Sequence, residues 1–385
     1  MSDFILTLNA GSSSVKFALF EQSGGDRAVA AGQVDGIGTR PRLIVDGSLS
    51  ERPDIRDHAD ALAAVVSALD TRSTSARIVA VGHRVVHGGL KFSDPVRLDN
   101  GIVEELEQLA PLAPLHQPHN LKGITVARRL FPRALQVACF DTAFHRAQPW
   151  VNDTFALPRH FYEEGVRRYG FHGLSYEYVS TELARIAPHH AAGRLVIAHL
   201  GNGASMCALR ARQSVASSMG FSALDGLPMG TRTGQLDPGV LLYLLRERHM
   251  GADEIEDLLY RKSGLLGLSG LSSDMRALEA AGTPEAQQAI DYFVFRVRRE
   301  LGAMTAILSG LDALAFAGGI GENASRIRER ICQGFEWLGI ELDETRNRLG
   351  AGVISSDRSR VRVFIVKTSE ETMIARHVRR LIANA

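Results

Sequence analysis

One local pattern occurs twice in this chain: a β-prone run enters a turn of small residues and then resumes. Residues 4–8 (Phe-Ile-Leu-Thr-Leu) run into Asn9-Ala10-Gly11-Ser12-Ser13-Ser14, and the strand pattern returns over residues 15–20. Arg194–Leu200 runs into Gly201-Asn202-Gly203-Ala204-Ser205 and returns over residues 206–209. Gly11 and Gly203 stand half of the 385-residue chain apart. A turn of one character opening each half implies a duplication: two similar α/β domains, each starting with a hairpin whose turn faces the other domain.

Elsewhere strands alternate with helices, as an α/β fold requires. Leu135–Phe140, 314–317 and 361–366 read as buried strands, and residues 57–69, 174–186, Pro238–Arg246, Pro284–Leu308 and 370–381 read as helices. Asp237-Pro238 supplies an N-cap followed by Pro at the first helical position, while Thr368 and Glu371 have capping-box spacing. Local pattern is weakest over residues 148–158, which places the domain boundary there, with the last helix returning to the first domain.

Composition then removes whole classes of function. The net charge is +1 and no long run of like charge occurs, so the footprint of a nucleic-acid binder or a polybasic membrane binder is missing. With 45% apolar and 23% charged residues the chain reads as an ordinary soluble globular protein. Cys139, Cys207 and Cys332 are far apart and odd in number, against a disulfide framework or a cysteine zinc site and in favour of a reducing, cytoplasmic compartment. No apolar run approaches the ~20 residues of a membrane helix, and the N-terminus lacks a signal-peptide pattern.

Gly and Ser in both turns allow backbone N–H groups to approach an oxyanion, so each turn reads as a phosphate cradle or, more plainly, as a hairpin turn. Gly319 to Ala324 spells G-x-G-x-x-A after a buried strand. A dinucleotide fingerprint needs an acidic residue closing a second strand about 20 residues on. Glu341 and Asp343 lie instead in polar, helix-like sequence, so we read a loop presenting backbone to an adenosine or phosphate. A Walker A pattern is absent from the sequence. Arg84 and Arg232 sit among glycines in Gly82-His83-Arg84-Val85-Val86-His87-Gly88-Gly89 and Gly230-Thr231-Arg232-Thr233-Gly234, surroundings that suit anion recognition. His172 lies between Phe171 and Gly173, and Asp141 directly follows a buried strand, as a site carboxylate or an N-cap. His116 and His199 read as core or turn histidines, and metal-ligand histidine spacing is missing. A hard cation held by carboxylate and phosphate oxygens stays open, with Asn9 and Glu370 near it; Glu370 reads equally as an answer to a helix dipole.

Together these stretches, with Ala113-Pro114-Leu115-His116, residues 219–234 and Ser269-Gly270-Leu271-Ser272-Ser273-Asp274-Met275-Arg276, resemble the acetate kinase family within the actin/Hsp70/sugar-kinase superfamily. The resemblance runs from Leu6 to Ala375. It implies two duplicated ribonuclease-H-like (actin-like ATPase) domains with a cleft between them, residues 1–147 plus 371–385 and a nucleotide-binding domain over 148–370. It also implies a homodimer and reversible transfer of the ATP γ-phosphoryl group to a short-chain carboxylate, giving acyl phosphate and ADP, with Mg²⁺ or Mn²⁺. Carried over by position, Asn9 and Glu370 hold the metal, Arg84 and Arg232 grip the carboxylate and the phosphoryl group, Asp141 is the essential acid and His172 stabilises the transition state. Nucleotide contacts fall to Lys16, His199, Leu200, Gly201, Asn202, Gly203, Asp274, Met275, Arg276, Gly319, Ile320, Gly321, Glu322 and Asn323. Val86, Leu115, Phe171 and Ala223 match the acyl pocket. Ala223 is commonly Pro in the family, which keeps propionate in play; Ala216 stands for Asp and Ser369 for Asn. The competing readings are an actin- or Hsp70-like ATP switch without a carboxylate site and, more distantly, a dehydrogenase built on the Gly319 loop.

Overall fold

The computed structural model describes residues 2–11, 13–52, 54–70 and 77–384. Ser12 of the first turn, and Met1 and Ala385 at the ends of the expected first domain, lie outside the described residues. The chain forms two compact units, Met1–Arg146 with Ser369–Ala385, and Ala147–Thr368.

Among the described residues, the strands of the first unit are β1 (Asp3–Ala10), β2 (Ser14–Glu21), β3 (Ala30–Asp35), β4 (Arg42–Val45), β5 (Ser48–Glu51), β6 (Arg77–Val85), β7 (Val96–Arg97) and β8 (Leu135–Phe140). They pair in the order β5-β4-β3-β2-β1-β6-β8-β7. β1, β2 and β3 form an antiparallel meander, β6 runs parallel to β1, and β8 runs parallel to β6. Side-chain alternation sends Phe4, Leu6 and Leu8 of β1, with Val15, Phe17 and Leu19 of β2, into one core with Ala61, Leu62 and Ala127 from two helices. The C-terminal helix Glu370–Ala383 packs elsewhere on the sheet, with Ala375 against Ala18 and Phe20. A Cβ on Gly82 would stand 2.4 Å from Ile374 Cγ2, so only glycine lets this helix come so near β6. That approach sets the first turn of the helix beside Asn9 and Arg84.

The second unit carries β9 (Arg194–Leu200), β10 (Ala204–Arg210), β11 (Gln213–Ser217), β12 (Ala313–Ala317) and β13 (Arg362–Ile365), in the order β11-β10-β9-β12-β13. Again three strands form an antiparallel meander, β12 runs parallel to β9, and β13 parallel to β12. β3-β2-β1-β6-β8 and β11-β10-β9-β12-β13 share one topology, so the duplication expected from the two turns is present in the sheets. Helix Pro284–Leu308, capped by Thr283, packs on β9 and β10 and buries Ala289, Phe293, Val297 and Leu301.

Three local expectations are corrected. Residues 319–323 are not a loop but part of a short helix, Gly318–Asn323. Glycine-rich sequence has poor helix propensity, yet Glu322 Oε1 accepts from Gly318 N (2.9 Å) and supplies a partner that a helix start lacks. Ser369, not Thr368, caps the last helix, its hydroxyl accepting from Thr372 N, while Thr368 Oγ1 bonds Ser175 Oγ at 2.7 Å. Within 148–158 a short helix, Trp150–Asp153, is tied down by Asn152 Nδ2 donating to Val215 O (2.7 Å).

Two buried histidines on and after β6 predict the acid response of the first unit. Burial lowers His83, bonded through Nε2 to Gln136 Oε1 at 2.8 Å, to about 4. Burial and then the Arg146 charge lower His87 to about 3. The unfolded chain takes up protons below pH ~6.5 that the folded protein refuses, so their stabilising contribution is complete above that pH and is lost as pH falls toward 4 and 3. At pH 5 the expected loss is about 2 kcal/mol per histidine. The urea midpoint is expected to fall between pH 7 and pH 5; an unchanged midpoint contradicts the assignment.

Candidate active site

In the first unit, strand ends converge on one guanidinium. Asn9 lies near the end of β1, Arg84 near the end of β6, Asp141 just after β8, and Glu370 opens the last helix. Arg84 Nη2 donates to Asp141 Oδ2 at 2.6 Å, and Arg84 Nε lies 3.1 Å from both carboxylate oxygens. Arg84 Nη1 donates to Asn9 Oδ1 (3.1 Å), Asn9 Nδ2 donates to Glu370 Oε2 (3.2 Å), and that oxygen lies 3.4 Å from Arg84 Nε. The Asp141 side chain is fully buried and that of Arg84 is 18% exposed. Burial by itself would lower the Arg84 guanidinium, but Asp141, Glu370 and Glu371 hold it above its ordinary value. Burial and then the Glu370 charge raise the Glu371 carboxyl. Asp141 is therefore no helix cap: Thr142 occupies that position of the following turn, and the Asp141 carboxylate goes to Arg84.

A buried amide that sequence reading missed supports this cluster. Asn120, inside helix Gln117–Leu130, accepts from Val86 N (3.0 Å) and donates to Ala10 O (2.6 Å), fixing the strand end after Arg84 to the first turn. The available signal was an asparagine on the apolar face of a helix, where that residue has no intrinsic advantage. Val86 is buried and Leu115 half-buried. Lys16, on β2, lines a groove with Gln33, Asp46, Ser369 and Glu371.

In the second unit, His172 has φ +57°, a left-handed conformation that costs a non-glycine residue energy and that recurs at functional sites. Its Nδ1 bonds Ser205 Oγ at 2.8 Å, and Ser205 Oγ in turn bonds Tyr176 Oη. The ring stacks on His199 with centroids 4.4 Å apart, and His199 Nδ1 bonds Ser175 Oγ at 2.8 Å. His199 thus belongs to a side-chain network rather than to the plain core. The turn after β9 passes close to His172: a Cβ on Gly203 would come within 3.1 Å of Nε2.

Arg232 sits on a tight turn closed by Met229 N donating to Arg232 O (3.0 Å). This turn docks on the second small-residue turn, where Gly230 N donates to Asn202 O (3.0 Å) and a Cβ on Gly230 would stand 2.2 Å from Asn202 Oδ1. Arg232 Nη1 donates to Ala223 O at 3.3 Å, bringing two expected site residues together. Phe171, also in this unit, is buried.

Beside the same turn opens a cleft of about 480 Å³, within the range of small-molecule sites. Gly201, Asn202, Asp274, Met275, Arg276, Gly319, Ile320 and Asn323 line it, together with Ser273, Glu279 and Ala324. His199, Leu200, Gly203, Gly321 and Glu322 are not among its lining residues; Leu200 and Gly321 are buried, and Glu322 turns back to Gly318 N and Thr368 N. Asp274 caps helix Met275–Ala281 and pairs with Arg276 at 2.7 Å; that hydrogen bond lowers its carboxyl to about 2.

A repeated sheet led by a hairpin and its small-residue turn, once in each unit, defines the two-domain actin-like ATPase class of fold. Within that class, the chain belongs to the acetokinase family, whose family model matches residues 4–376. It is 58% identical to the acetate kinase of Methylocella silvestris, covering 99% of this chain and 98% of that one. It is 53% identical to the acetate kinase of Rhodopseudomonas palustris, covering 99% of both. Among solved structures, the acetate kinase of Porphyromonas gingivalis superposes with TM-score 0.89 at 39% identity, covering 99% of this chain and all of that chain. A propionate kinase from Francisella tularensis superposes with TM-score 0.91 at 36% identity, covering 98% and 99%.

Proposed function

We propose that the chain catalyses reversible, Mg²⁺-dependent transfer of the ATP γ-phosphoryl group to acetate, giving acetyl phosphate and ADP. The observation that carries this reading is a conformationally fixed guanidinium, Arg84, anchored by a buried carboxylate and presented beside oxygen donors suited to a hard cation. A carboxylate is already a nucleophile at neutral pH, so the chemistry asks for positioning and charge stabilisation rather than a strong base. Asp141, fully buried and bound to Arg84, fits the role of orienting that cation. By resemblance we assign Arg84 and Arg232 to the acceptor carboxylate and the moving phosphoryl oxygens and His172 to the charge that develops in transfer, and we assign the nucleotide to the cleft lined by Gly201, Asp274 and Gly319.

Asn9 and Glu370 fit a divalent ion by chemistry: an amide oxygen and a carboxylate are hard donors, and the cluster carries more carboxylate than cation. Bound there, Mg²⁺, or Mn²⁺ in its place, supplies neutralisation of phosphate oxygens. Lys16 is assigned to the nucleotide phosphates by resemblance alone. We assign residues 1–147 plus 371–385 to the first actin-like domain and 148–370 to the nucleotide-binding one. Among the described residues no helix is long and apolar enough to cross a membrane, and we place the enzyme in the cytoplasm. Helix Pro238–Arg246 buries none of its residues and leaves Val240, Leu242, Tyr243 and Leu245 between 39% and 51% exposed, apolar surface around the helix that a second copy would cover in a homodimer.

Hydroxylamine trapping of acyl phosphate, with ATP, Mg²⁺ and formate, acetate, propionate or butyrate in parallel, tests the reading. Hydroxamate from acetate is expected; ATP hydrolysis indifferent to every acid would instead indicate a nucleotide-driven switch. Propionate kinase activity is the specific second reading, favoured by the missing ring at Ala223. Ala223→Pro is expected to lower kcat/KM for propionate relative to acetate by about tenfold, since one methylene in an apolar pocket is worth ~1–3 kcal/mol. An unchanged ratio removes Ala223 from the acyl pocket.

A further inference from the structure

Arg328, on helix Ser325–Cys332, is 1% exposed and heads the large fully buried side chains. Its hydrogen bonds go to uncharged oxygens. Nη1 donates to Gly321 O and to Glu322 O, both at 3.0 Å; Nε donates to Asn347 Oδ1 at 2.9 Å and Nη2 to Asn347 O at 2.8 Å. Asn347 Nδ2 passes the link on to Ser325 O at 2.9 Å. A buried cation is costly to keep, and removing it would leave the four oxygens it serves without their donor. Its geometry here serves something local. Gly321 and Glu322 carry two of the last carbonyls of helix Gly318–Asn323, groups with no partner inside the helix and at its negative end. At the other end, Glu322 Oε1 receives Gly318 N and, at 3.0 Å, Thr368 N. A Cβ on Gly318, at φ +76°, would stand 2.7 Å from Leu200 O, so this helix is also pressed against β9. Its outer residues Gly319, Ile320 and Asn323 form one wall of the cleft.

We infer that Arg328 is a positioning residue for nucleotide binding, holding the helix Gly318–Asn323 in the place where its backbone can meet the nucleotide. The inference rests on the nucleotide reading of the cleft. Arg328 makes no direct contact with the ligand; it replaces the helix continuation that the sequence, turning away at Ala324, does not provide. Glu322 has the same duty from the opposite end, which removes it from the set of direct contacts.

The test compares the full-length wild type with Arg328→Met and Arg328→Lys, measuring ADP affinity with a fluorescent ADP analogue, KM for ATP, KM for acetate and the urea midpoint. Arg328→Met is expected to weaken ADP binding and raise KM for ATP by about tenfold, the effect of 1.4 kcal/mol, with KM for acetate changed less than about twofold. Arg328→Lys, which keeps one cation near the Gly321 and Glu322 carbonyls, is expected to fall between. Unchanged ADP affinity in a folded Arg328→Met, or equal shifts in both KM values, overturns the inference. If Arg328→Met does not fold, Arg328→Lys decides alone: wild-type ADP affinity overturns the inference, and a selective loss supports it. Failure of the wild type to bind the analogue would instead overturn the nucleotide reading itself.

Discussion

Asp141→Asn is expected to lower kcat for acyl-phosphate formation by about a hundred- to a thousandfold while leaving the pH optimum where it is. The substitution keeps shape and removes charge. In the native cluster the Asp141 carboxylate is fully buried and takes hydrogen bonds from both Nε and Nη2 of Arg84. An amide in its place offers one acceptor oxygen and sets an NH₂ donor against a guanidinium that also only donates. Glu370, 3.4 Å from Arg84 Nε, is then the remaining anion for Arg84 to follow, which draws the cation away from its anchored direction. Breaking one side of a buried pair costs about 3–5 kcal/mol of stability, and with about 3–4 kcal/mol of that loss felt in the transition state, at about 1.36 kcal/mol per factor of ten, the range follows. A general base would behave differently: its loss would remove an ionisation from the pH–rate profile. Steady-state assays from pH 6 to 9 separate the two. A rate like the wild type's refutes the orienting role, and a rate loss accompanied by disappearance of the acidic limb reassigns Asp141 as a base.

Much of the fold was legible because it depends on short-range pattern. The bounds of β8, helix Pro238–Arg246 and helix Pro284–Leu308 follow from apolar runs and, for helix Pro238–Arg246, from the Asp237-Pro238 cap. The duplication was visible because each hairpin turn is made of small residues and the two stand half a chain apart. Gly318–Asn323 was not legible as a helix, because its propensity is poor and its stability comes from Glu322 and Arg328, whose bonds are made only after folding. The Ser369 cap defeated the spacing rule for a similar reason: Thr368 satisfied the pattern but was taken by Ser175, 193 residues away in sequence.

The site was legible unevenly for the same cause. Charged side chains among glycines announce themselves, and the structure joins Arg84 to Asp141 across 57 residues and Arg232 to the carbonyl of Ala223. The neutral groups that hold them do not. Asn120, Ser205, Tyr176 and Ser175 are ordinary residues in ordinary helices and strands, and only tertiary proximity gives them a task.

His172 shows what such neutral groups contribute, and His172→Ala is expected to cost about two to three orders of magnitude in kcat with smaller changes in either KM. A donor aimed at charge that grows during transfer acts on the transition state more than on bound substrates, and its removal costs about 2.7–4 kcal/mol in comparable oxyanion sites. The direction of the donor depends on the tautomer. Tyr176 is buried, and that burial raises its phenol well above its ordinary value, so it stays protonated and has a proton to offer Ser205 Oγ. With Tyr176 as the donor to Ser205, the Ser205 hydroxyl is directed at His172 Nδ1, an arrangement that puts the proton of a neutral imidazole on Nε2, the nitrogen next to the Gly203 backbone. Ser205→Ala breaks this chain without touching the imidazole. Its kcat is expected to fall about tenfold, the value of one well-made hydrogen bond, while the stack of His172 on His199 keeps the ring in place. Nitrogen chemical shifts of the His172 ring check the cause directly: the wild type is expected to show the Nε2–H form, and Ser205→Ala a mixture of tautomers. A wild-type ring protonated on Nδ1 would sink the donor role, because the proton would then point at Ser205 rather than at a substrate.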